Sequence, residues 1–320
     1  MGIFANPLTD LLEYEDFSRD FLKGTDPVGM TGCIDSEKVH FMSTFLGEKK
    51  VQLVVTYSEQ RAREIEEDYK LFCSQVYVIP PRDLIFFSAD LQGNAIIAER
   101  MKAFAALYQN EAKVIITTMD ALMSAAVPFE QLMSHVIKLK EGDELDLEKL
   151  KHDLTVMGYE RVGRVEEPGQ FTVHGGIADV YPLTMEVPVR IELWGDEIDT
   201  IRCFEPQSQR SMDQIECVSV FPAAEVIADD TARRRAAGMI QNELESQLAV
   251  FKKAKEPDKA KRLREETNRI LEALGEDVVL EAPDSYISYF YPRTVQLSEY
   301  FDEKNTLVFL DEPMRLKERG

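Results

Sequence analysis

The chain has 320 residues, 44% of them hydrophobic, and its 37 Lys and Arg against 58 Asp and Glu give a formal net charge of −21. This length exceeds what one hydrophobic core usually holds, so two or three globular domains are expected. The acidic balance argues against duplex DNA as a strong partner, because phosphate binding depends on neutralising Lys and Arg side chains. No stretch approaches the roughly 20 apolar residues of a membrane-spanning helix, so no membrane contact is predicted.

The N-terminus and the cysteines indicate a cytoplasmic protein. The opening MGIFANPLTDLLEYEDF has no basic region followed by an apolar one, so no secretory signal is predicted. The four cysteines have no metal-ligand spacing, which favours reduced thiols and no metal site. They are Cys33, Cys73, Cys203 and Cys217.

Apolar runs alternate with helical patterns over the first 135 residues. The predicted strands are the apolar runs Val51 to Thr56, Val76 to Ile79 and Val114 to Thr117. The predicted helices cover 1–25, Ser58 to Phe72 with Ser58 as N-cap, and Asn94 to Gln109. Strands that alternate with helices indicate a parallel α/β domain.

A second domain is predicted to begin near Val136. Asp146 can cap a helix whose leucines share one stripe, and Gly158 lies just past its end. The stripe consists of Leu147, Leu150, Leu154 and Met157.

Four short strands are predicted next. Phe171 and Val173 alternate with Thr172 and His174, and Gly175-Gly176 separates them from the run Ile177 to Tyr181. In the third strand Val189, Ile191 and Leu193 alternate with Arg190, Glu192 and Trp194. These last three residues form what we name the Arg-Glu-Trp face. The turn Gly195-Asp196 leads to the run Glu197 to Phe204, whose facing the pattern leaves open.

The C-terminal part is predicted to be helical from Asp230 to Leu274, and Pro257 divides it into two helices. Its charge density is typical of a solvated helical hairpin, and no function is assigned to it. Leu307 to Leu310 is predicted to be a buried strand, followed by Asp311-Glu312.

The run MGYER…PGQFTVHGGIADVYP…VRIELWGDEIDTIRCFEPQSQRS resembles the second domain of UvrB and, more closely, the matching domain of the bacterial transcription-repair coupling factor family, Mfd. The resemblance covers nearly the whole chain and is closest over Met157–Pro222. It implies a degenerate helicase-type parallel α/β module, split around an inserted small α+β domain. The implied parts are residues 1–135 and 226–320 for the module and 136–225 for the insert.

In both families the inserted domain docks UvrA during nucleotide excision repair. By motif position the resemblance places Arg190 and Trp194 on the UvrA-docking face, with His174 where the family usually has Arg. Two other interpretations stay open, in which Trp194 shields its own sheet and Arg190 forms a cross-strand ion pair. A neutral imidazole cannot replace a guanidinium that forks onto a carboxylate, so at His174 either the partner differs or the contact is lost.

The resemblance also places a phosphate loop at residues 32–39. Gly32 and Lys38 fit this motif, but Glu37 stands where a glycine is needed and Val39 lacks the magnesium-binding hydroxyl. A carboxylate beside phosphates is strongly repelled, so no cofactor is predicted here. Asp311-Glu312 is then either a relic of the acidic helicase motif or a capping pair for the following segment.

The segment Pro81 to Arg100 is too short for the aromatic hairpin with which UvrB clamps damaged DNA, which favours the coupling-factor family. We therefore expect a non-enzymatic N-terminal third of a longer protein, which recruits UvrA. The resemblance implies that further C-terminal modules bind RNA polymerase and translocate DNA with ATP and Mg. Two alternatives remain, an autoinhibitory module that folds back on the C-terminal part and an ATP-driven nucleic-acid motor, which Glu37 and Val39 oppose.

Overall fold

The computed structural model describes residues 8, 14–24, 27–82, 91–227, 229–275 and 286–318, and of residues 91–94 only the backbone. The chain forms two compact units. The first consists of Met1–Arg82, Lys102–Ser124 and Leu297–Gly320, and the second of Asp83–Met101 and Ala125–Gln296. The division into 1–135, 136–225 and 226–320 stays a prediction.

Helices and strands alternate over much of the first half of the described chain, seven strands then follow one another from Glu160 to Val220, and three helices come next. The helices are α1 Tyr14–Lys23, α2 Asp35–Ser43, α3 Glu59–Lys70, α4 Leu91–Tyr108, α5 Met119–Leu122, α6 Phe129–Met133, α7 Leu147–Val156, α8 Asp230–Ala254, α9 Pro257–Gly275, α10 Ile287–Phe290 and α11 Pro313–Lys317. The strands are β1 Val51–Thr56, β2 Val76–Ile79, β3 Val114–Thr118, β4 Ala125–Ala126, β5 Ile137–Lys140, β6 Glu160–Arg161, β7 Gln170–His174, β8 Ile177–Val180, β9 Val189–Trp194, β10 Glu197–Phe204, β11 Ser211–Gln214, β12 Cys217–Val220, β13 Val295–Gln296 and β14 Thr306–Leu310. None of the described helices combines the length and apolarity that crossing a membrane requires.

The first unit contains a four-stranded sheet in the order β14-β1-β3-β2, and all its neighbouring strands are parallel. Every residue of β1 is buried, as its apolar run predicted, because both faces of a parallel sheet are covered. β14 comes from the C-terminal end of the chain and pairs with β1 along its length. The parallel α/β module is therefore assembled from both ends of the sequence, which confirms the predicted fold class.

Local sequence patterns in the first unit also predicted helices that the structure contains. The Ser58 hydroxyl accepts a hydrogen bond from the backbone amide of Arg61 at 3.2 Å, which confirms the predicted N-cap. Of the predicted helix over 1–25, Tyr14–Lys23 is helical, whereas 1–7, 9–13 and 25 lie outside the described residues. Residues 83–90 also lie outside them, so the expected lack of a hairpin between Pro81 and Arg100 stays a prediction.

The prediction that Leu307 to Leu310 is a buried strand is wrong for one of its faces. β14 is the first strand in the sheet order, so β1 is its only neighbour within the described chain. Val308 and Leu310 are 48% and 52% exposed, whereas Leu307 is buried. An apolar run predicts a strand, but it does not reveal whether that strand lies at an edge.

The second unit contains a six-stranded sheet in the order β11-β10-β9-β8-β7-β6, antiparallel except between β6 and β7. One face packs on α7, with Leu150, Leu154 and Met157 in the same core as Phe171 and Ile191. The Asp146 carboxylate accepts hydrogen bonds from two backbone amides at the start of α7, so the predicted cap is confirmed.

Gly158 ends α7 for a steric reason. It has a φ of +90°, and a Cβ at this position would lie 2.8 Å from the Cβ of Ala224. Both the left-handed backbone and the close approach therefore need glycine.

A register shift between Ile198 and Thr200 explains why the fourth predicted strand did not alternate cleanly. Such a bulge places two residues opposite one on the neighbouring strand, and the alternation of faces is lost there. Beyond this sheet, α8 and α9 form the predicted helical hairpin. Lys255, between them, adopts a left-handed conformation with a φ of +57°, and α9 starts at Pro257, as predicted.

Candidate functional site

The Arg-Glu-Trp face lies on the side of the second unit's sheet that faces away from α7. In β9, Val189 and Ile191 are buried in the core, whereas Arg190 is half-buried and Trp194 is exposed. The alternation predicted for this strand is therefore confirmed. It is a property of the extended backbone, in which successive side chains point to opposite faces.

Strand pairing brings His174 onto the same face. Arg190 is opposite Asp179, and in the next row Glu192 is opposite Ile177, which is opposite His174. Two strand spacings put His174 about 10 Å from β9, and four residues along β9 put Trp194 about 13 Å from Arg190. The three predicted docking residues thus share one face of the sheet. They are close enough together for one partner protein to contact all of them.

Arg190 forms a cross-strand ion pair with Asp179. Its Nε donates to Asp179 Oδ1 at 2.8 Å, and its Nη2 donates to Asp179 Oδ2 at 2.7 Å. Asp179 is only 6% exposed. The hydrogen bonds to Asp179 raise the pKa of Arg190 above its ordinary value, so the guanidinium stays charged. The ion-pair interpretation of Arg190 is therefore what the structure shows.

The ion pair leaves part of the guanidinium available to a partner. Arg190 Nη2 also lies 3.4 Å from Gln209 Oε1, and its Cζ lies 4.8 Å from the centre of the Phe204 ring. Within the described residues Arg190 Nη1 has no hydrogen-bond partner. Because Asp179 and Phe204 fix the plane of the group, its Nη1 donors are held in one orientation.

A surface depression of about 320 Å³ adjoins this ion pair. Arg190 and His174 both line it, and Trp194 does not. Its other lining residues are Gly163, Arg164, Thr172, Ile177, Asp179 and Gln209. The depression combines two guanidinium groups with an imidazole, but Arg190 is paired with Asp179, and Arg164 Nε lies 3.3 Å from Glu166 Oε1. A partner's carboxylate would therefore bind there through the remaining N–H donors rather than through an unpaired charge.

Trp194 lies at the tip of a hairpin and is 84% exposed. It pairs with Glu197 across a two-residue turn in which Gly195 has a φ of +66°, so the predicted turn is confirmed. A tryptophan that shielded its own sheet would be largely buried, so that interpretation is wrong. An indole with this exposure presents apolar area to water.

His174 is exposed at the end of β7, beside Ile177, which is itself 40% exposed. No described residue hydrogen-bonds its imidazole. His174 is therefore free to meet a partner, but a neutral imidazole offers one N–H donor where a guanidinium offers five.

Sequence reasoning missed Asp179 and Gln209. Asp179 stands in a short run with apolar neighbours, and only the register of β8 against β9 pairs it with Arg190. A signal existed, since a carboxylate within an otherwise apolar strand needs a partner. Gln209 comes from the loop after β10, and no local pattern indicated its position.

The predicted phosphate loop has a different local structure from a nucleotide cradle. Glu37 Oε2 accepts a hydrogen bond from the backbone amide of Ile34 at 3.2 Å, so its carboxylate lies at the N-terminus of α2. In phosphate-binding loops this helix end receives the phosphate. Val39 is fully buried in the core, and Gly32 has a φ of +88°.

Lys38 is held by the acidic pair at the end of β14. Its Nζ lies 3.1 Å from Asp311 Oδ1 and 2.6 Å from Glu312 Oε1. Burial lowers the pKa of Lys38, but the hydrogen bonds to Glu312 and Asp311 outweigh it and raise the pKa. Glu312 occupies the N-cap position of α11, as the capping alternative expects, but its side chain makes no capping hydrogen bond there.

Asp311 is the centre of a wider network. Its Oδ2 accepts hydrogen bonds from Thr56 Oγ1 at 2.9 Å and from Arg61 Nε at 3.2 Å. Lys38 and Arg61 are both paired with carboxylates of this network, so among the described residues neither cation is free to bind a triphosphate. The residues present do not fit a magnesium nucleotide, and the lack of nucleotide binding stays a prediction.

The chain is similar to proteins of known name. Residues 137–225 match the UvrB interaction domain. The transcription-repair-coupling factor of Bacillus subtilis is 30% identical over 320 residues, which cover 98% of this chain and 27% of that protein. The transcription-repair-coupling factor of Staphylococcus haemolyticus is 31% identical over 307 residues, covering 93% of this chain and 25% of that protein. The chain thus spans about a quarter of the length of these relatives.

Proposed function

Because residues 137–225 are a UvrB interaction domain and 98% of the chain is similar to a transcription-repair-coupling factor, we propose that this protein recruits UvrA to sites of DNA repair. The Arg-Glu-Trp face and His174 form the docking surface. Recruitment is a binding function, and we assign no catalytic residue to this chain. We place it in the cytoplasm, where UvrA acts.

The observation that carries this proposal is Trp194, an 84% exposed tryptophan on the same strand as the fixed guanidinium of Arg190. Residues that dominate interface energies are enriched in Trp and Arg. The Arg190 guanidinium is held by a buried carboxylate, so little conformational entropy is lost when it binds. An exposed apolar anchor beside a pre-oriented cation is what a docking surface needs.

The charged groups of this face indicate which groups UvrA should present to it. A carboxylate of UvrA that enters the depression would meet Nη1 of Arg190 and the side chain of Arg164, while Trp194 fills an apolar pocket about 13 Å away. Glu192, Asp196 and Glu197, which adjoin Trp194 on the hairpin of β9 and β10, would repel a carboxylate placed beside the indole and so favour one register.

In a full-length coupling factor this module would link stalled RNA polymerase to excision repair, with the polymerase, DNA, ATP and Mg bound by modules beyond this chain. These partners and cofactors are part of the proposal. An autoinhibitory role of the same face is the second candidate, and exposure of Trp194 is equally compatible with it. A motor function is disfavoured by Glu37, Lys38 and Val39, as described above.

The test is the affinity of purified UvrA for this chain and for Trp194→Ala, measured by biolayer interferometry. If Trp194 is a hot spot, its loss costs about 2 kcal/mol or more, which is roughly a thirtyfold weaker Kd. Leu71→Ala is the matched control, because Leu71 is 76% exposed and lies in the first unit. Its Kd should equal that of the unmodified chain.

Equal affinity of Trp194→Ala and the unmodified chain would show that this face is not the docking surface. The same measurement on a full-length coupling factor distinguishes autoinhibition from free docking of UvrA. If the isolated chain binds UvrA and the full-length protein does not, the face is masked at rest.

A further inference from the structure

The hairpin of α8 and α9 carries a positive cluster in an acidic protein. Residues 252–264, which we name the basic tip, contain seven Lys or Arg against two Asp or Glu, a local charge of +5. Given the total of −21, the rest of the chain carries −26. The seven cations are Lys252, Lys253, Lys255, Lys259, Lys261, Arg262 and Arg264.

All seven cations are exposed, and most have no acidic partner. Lys259 Nζ lies 3.0 Å from Glu256 Oε1, and Lys261 Nζ lies 3.9 Å from Glu265 Oε1. Within the described residues, the other five form no ion pair. A solvated helix face of ordinary composition alternates the two signs, so that its charges offset one another. The basic tip does not.

The basic tip extends away from the packed part of its own unit. The last buried residue of α8 is Leu244, and the first buried residue of α9 is Thr267. About ten residues separate each of them from the turn, which is about 15 Å of helix. The Debye length at physiological ionic strength is about 8 Å, so carboxylates in the packed part of this unit are largely screened at the tip. Glu265 and Glu266 follow the tip directly, and over residues 252–266 seven Lys or Arg still outnumber four Asp or Glu. A polyanion would therefore meet a local positive charge.

The two helices also form a groove lined with positive charge. It has a volume of about 630 Å³ and runs between the end of α8 and the start of α9. Lys252 and Lys255 line it from one side, and Lys261 and Arg264 from the other. Glu256 and Glu265 line it as well, so four cations outnumber two carboxylates. The only aromatic residue that lines it is Phe251, which is half-buried. The groove thus offers cations but no platform on which bases could stack.

We propose that the basic tip binds the phosphate backbone of duplex DNA without sequence preference. Unpaired Lys and Arg side chains bind phosphates, whereas sequence is recognised by contacts to base edges. Duplex DNA carries one charge per about 1.7 Å of helix axis and releases condensed counterions when cations replace them. An acidic protein surface has no comparable layer of condensed counterions, so it gains no free energy from releasing them. The charge distribution of the basic tip is independent of the proposed UvrA docking.

The net charge limits the strength of this contact. Non-specific DNA binding at physiological salt has a Kd of roughly 10⁻⁴ to 10⁻⁶ M, and we expect this chain at or beyond the weak end. With about four phosphates contacted, the slope of log K against log salt is about −3.6, so the affinity is roughly a hundredfold higher at 50 mM than at 200 mM salt. The contact would orient a protein already held near DNA.

The experiment is fluorescence anisotropy of a labelled 20-base-pair duplex at 50 to 200 mM NaCl. The tip variant is Lys252→Glu/Lys255→Glu/Arg264→Glu. The control variant is Lys50→Glu/Lys113→Glu/Lys317→Glu, which makes the same charge change at exposed lysines of the first unit. We expect the control to bind within about twofold of the unmodified chain and the tip variant at least tenfold more weakly.

Equal weakening by both variants, or a salt slope near zero, would overturn the proposal. Tighter binding of polyglutamate than of the duplex would also overturn it and would indicate an acidic protein partner. Lys255→Gln/Arg264→Gln keeps the test valid if the triple variant fails to fold. UvrA affinity of the tip variant should be unchanged, so that a failure here is distinguishable from a failure of the docking proposal.

Discussion

Removing Arg190 should weaken UvrA binding and also destabilise the fold, and the two effects can be separated. From the strand pattern alone, Arg190→Ala would leave folding almost unchanged, because solvent-facing substitutions usually fall within about 0.5 kcal/mol. The structure changes this expectation. Arg190→Ala leaves the carboxylate of Asp179, whose side chain is 8% exposed, without its bidentate partner.

The magnitude follows from the burial of the pair. Breaking a fully buried ion pair by removing one partner costs about 3–5 kcal/mol. The Arg190 side chain is 22% exposed, so water can reach part of the vacated space and reduce the cost to about 2–3 kcal/mol. Loss of the guanidinium from the Phe204 ring adds about 0.5–1 kcal/mol. The free energy of unfolding should therefore fall by about 3 kcal/mol.

A double-mutant cycle isolates the interaction between the two residues. In Asp179→Asn/Arg190→Met the buried charges are both gone, and replacing a buried pair by neutral residues is often close to neutral. We expect the double variant to lose only about 1 kcal/mol, which is about 2 kcal/mol less than the loss of Arg190 alone, so the coupling energy is at least about 2 kcal/mol in magnitude and larger by whatever Asp179→Asn costs by itself. Urea denaturation of the unmodified chain, Asp179→Asn, Arg190→Met and the double variant gives each free energy of unfolding.

UvrA affinity is then measured on the same four proteins. The folded double variant lacks the guanidinium, so its Kd should be about thirtyfold weaker if Arg190 is an anchor. Normal UvrA affinity in the double variant would show that the Arg190 guanidinium serves only the fold. A full 3 kcal/mol loss in the double variant would refute the argument from the unpaired carboxylate.

Three further predictions concern single positions. His174→Arg restores the residue usual in the family and should tighten UvrA binding severalfold, by adding charge-assisted hydrogen bonds; unchanged affinity would mean that UvrA offers no carboxylate there. Titration calorimetry with Mg-ATP should show no saturable micromolar binding, because the Glu37 carboxylate lies at the helix end that would receive phosphate; such binding would refute this interpretation. Lys38→Met should lower the free energy of unfolding by about 1–3 kcal/mol, because Asp311 loses a partner in a buried network; Lys304→Met, at an exposed lysine of the same unit, is the control. The pKa of Lys38 is raised by folding, so its contribution is complete below the ordinary lysine pKa and is lost only as the pH rises through the raised value. The difference between the two proteins should therefore be constant from about pH 6 to 9.

The sequence by itself determined the local elements and the side of the strand on which the predicted docking residues lie. The caps at Ser58 and Asp146, the glycine after α7 and the alternation in β9 depend on the backbone geometry of a few neighbouring residues. Such geometry is encoded within the segment itself, and these predictions are confirmed. The family resemblance then proposed half-buried Arg190 and exposed Trp194 as docking residues, and no local pattern would have assigned them that role.

Only the tertiary structure decided which side chains meet. Asp179 pairs with Arg190 because of a register that eight connecting residues do not fix, and Lys38 meets Asp311 across 273 positions of sequence. The edge position of β14 and the distance of the basic tip from the packed part of its own unit are likewise outcomes of packing. Periodicity arises from the repeat of one backbone segment, whereas register, edges and charge separation depend on how distant segments pack.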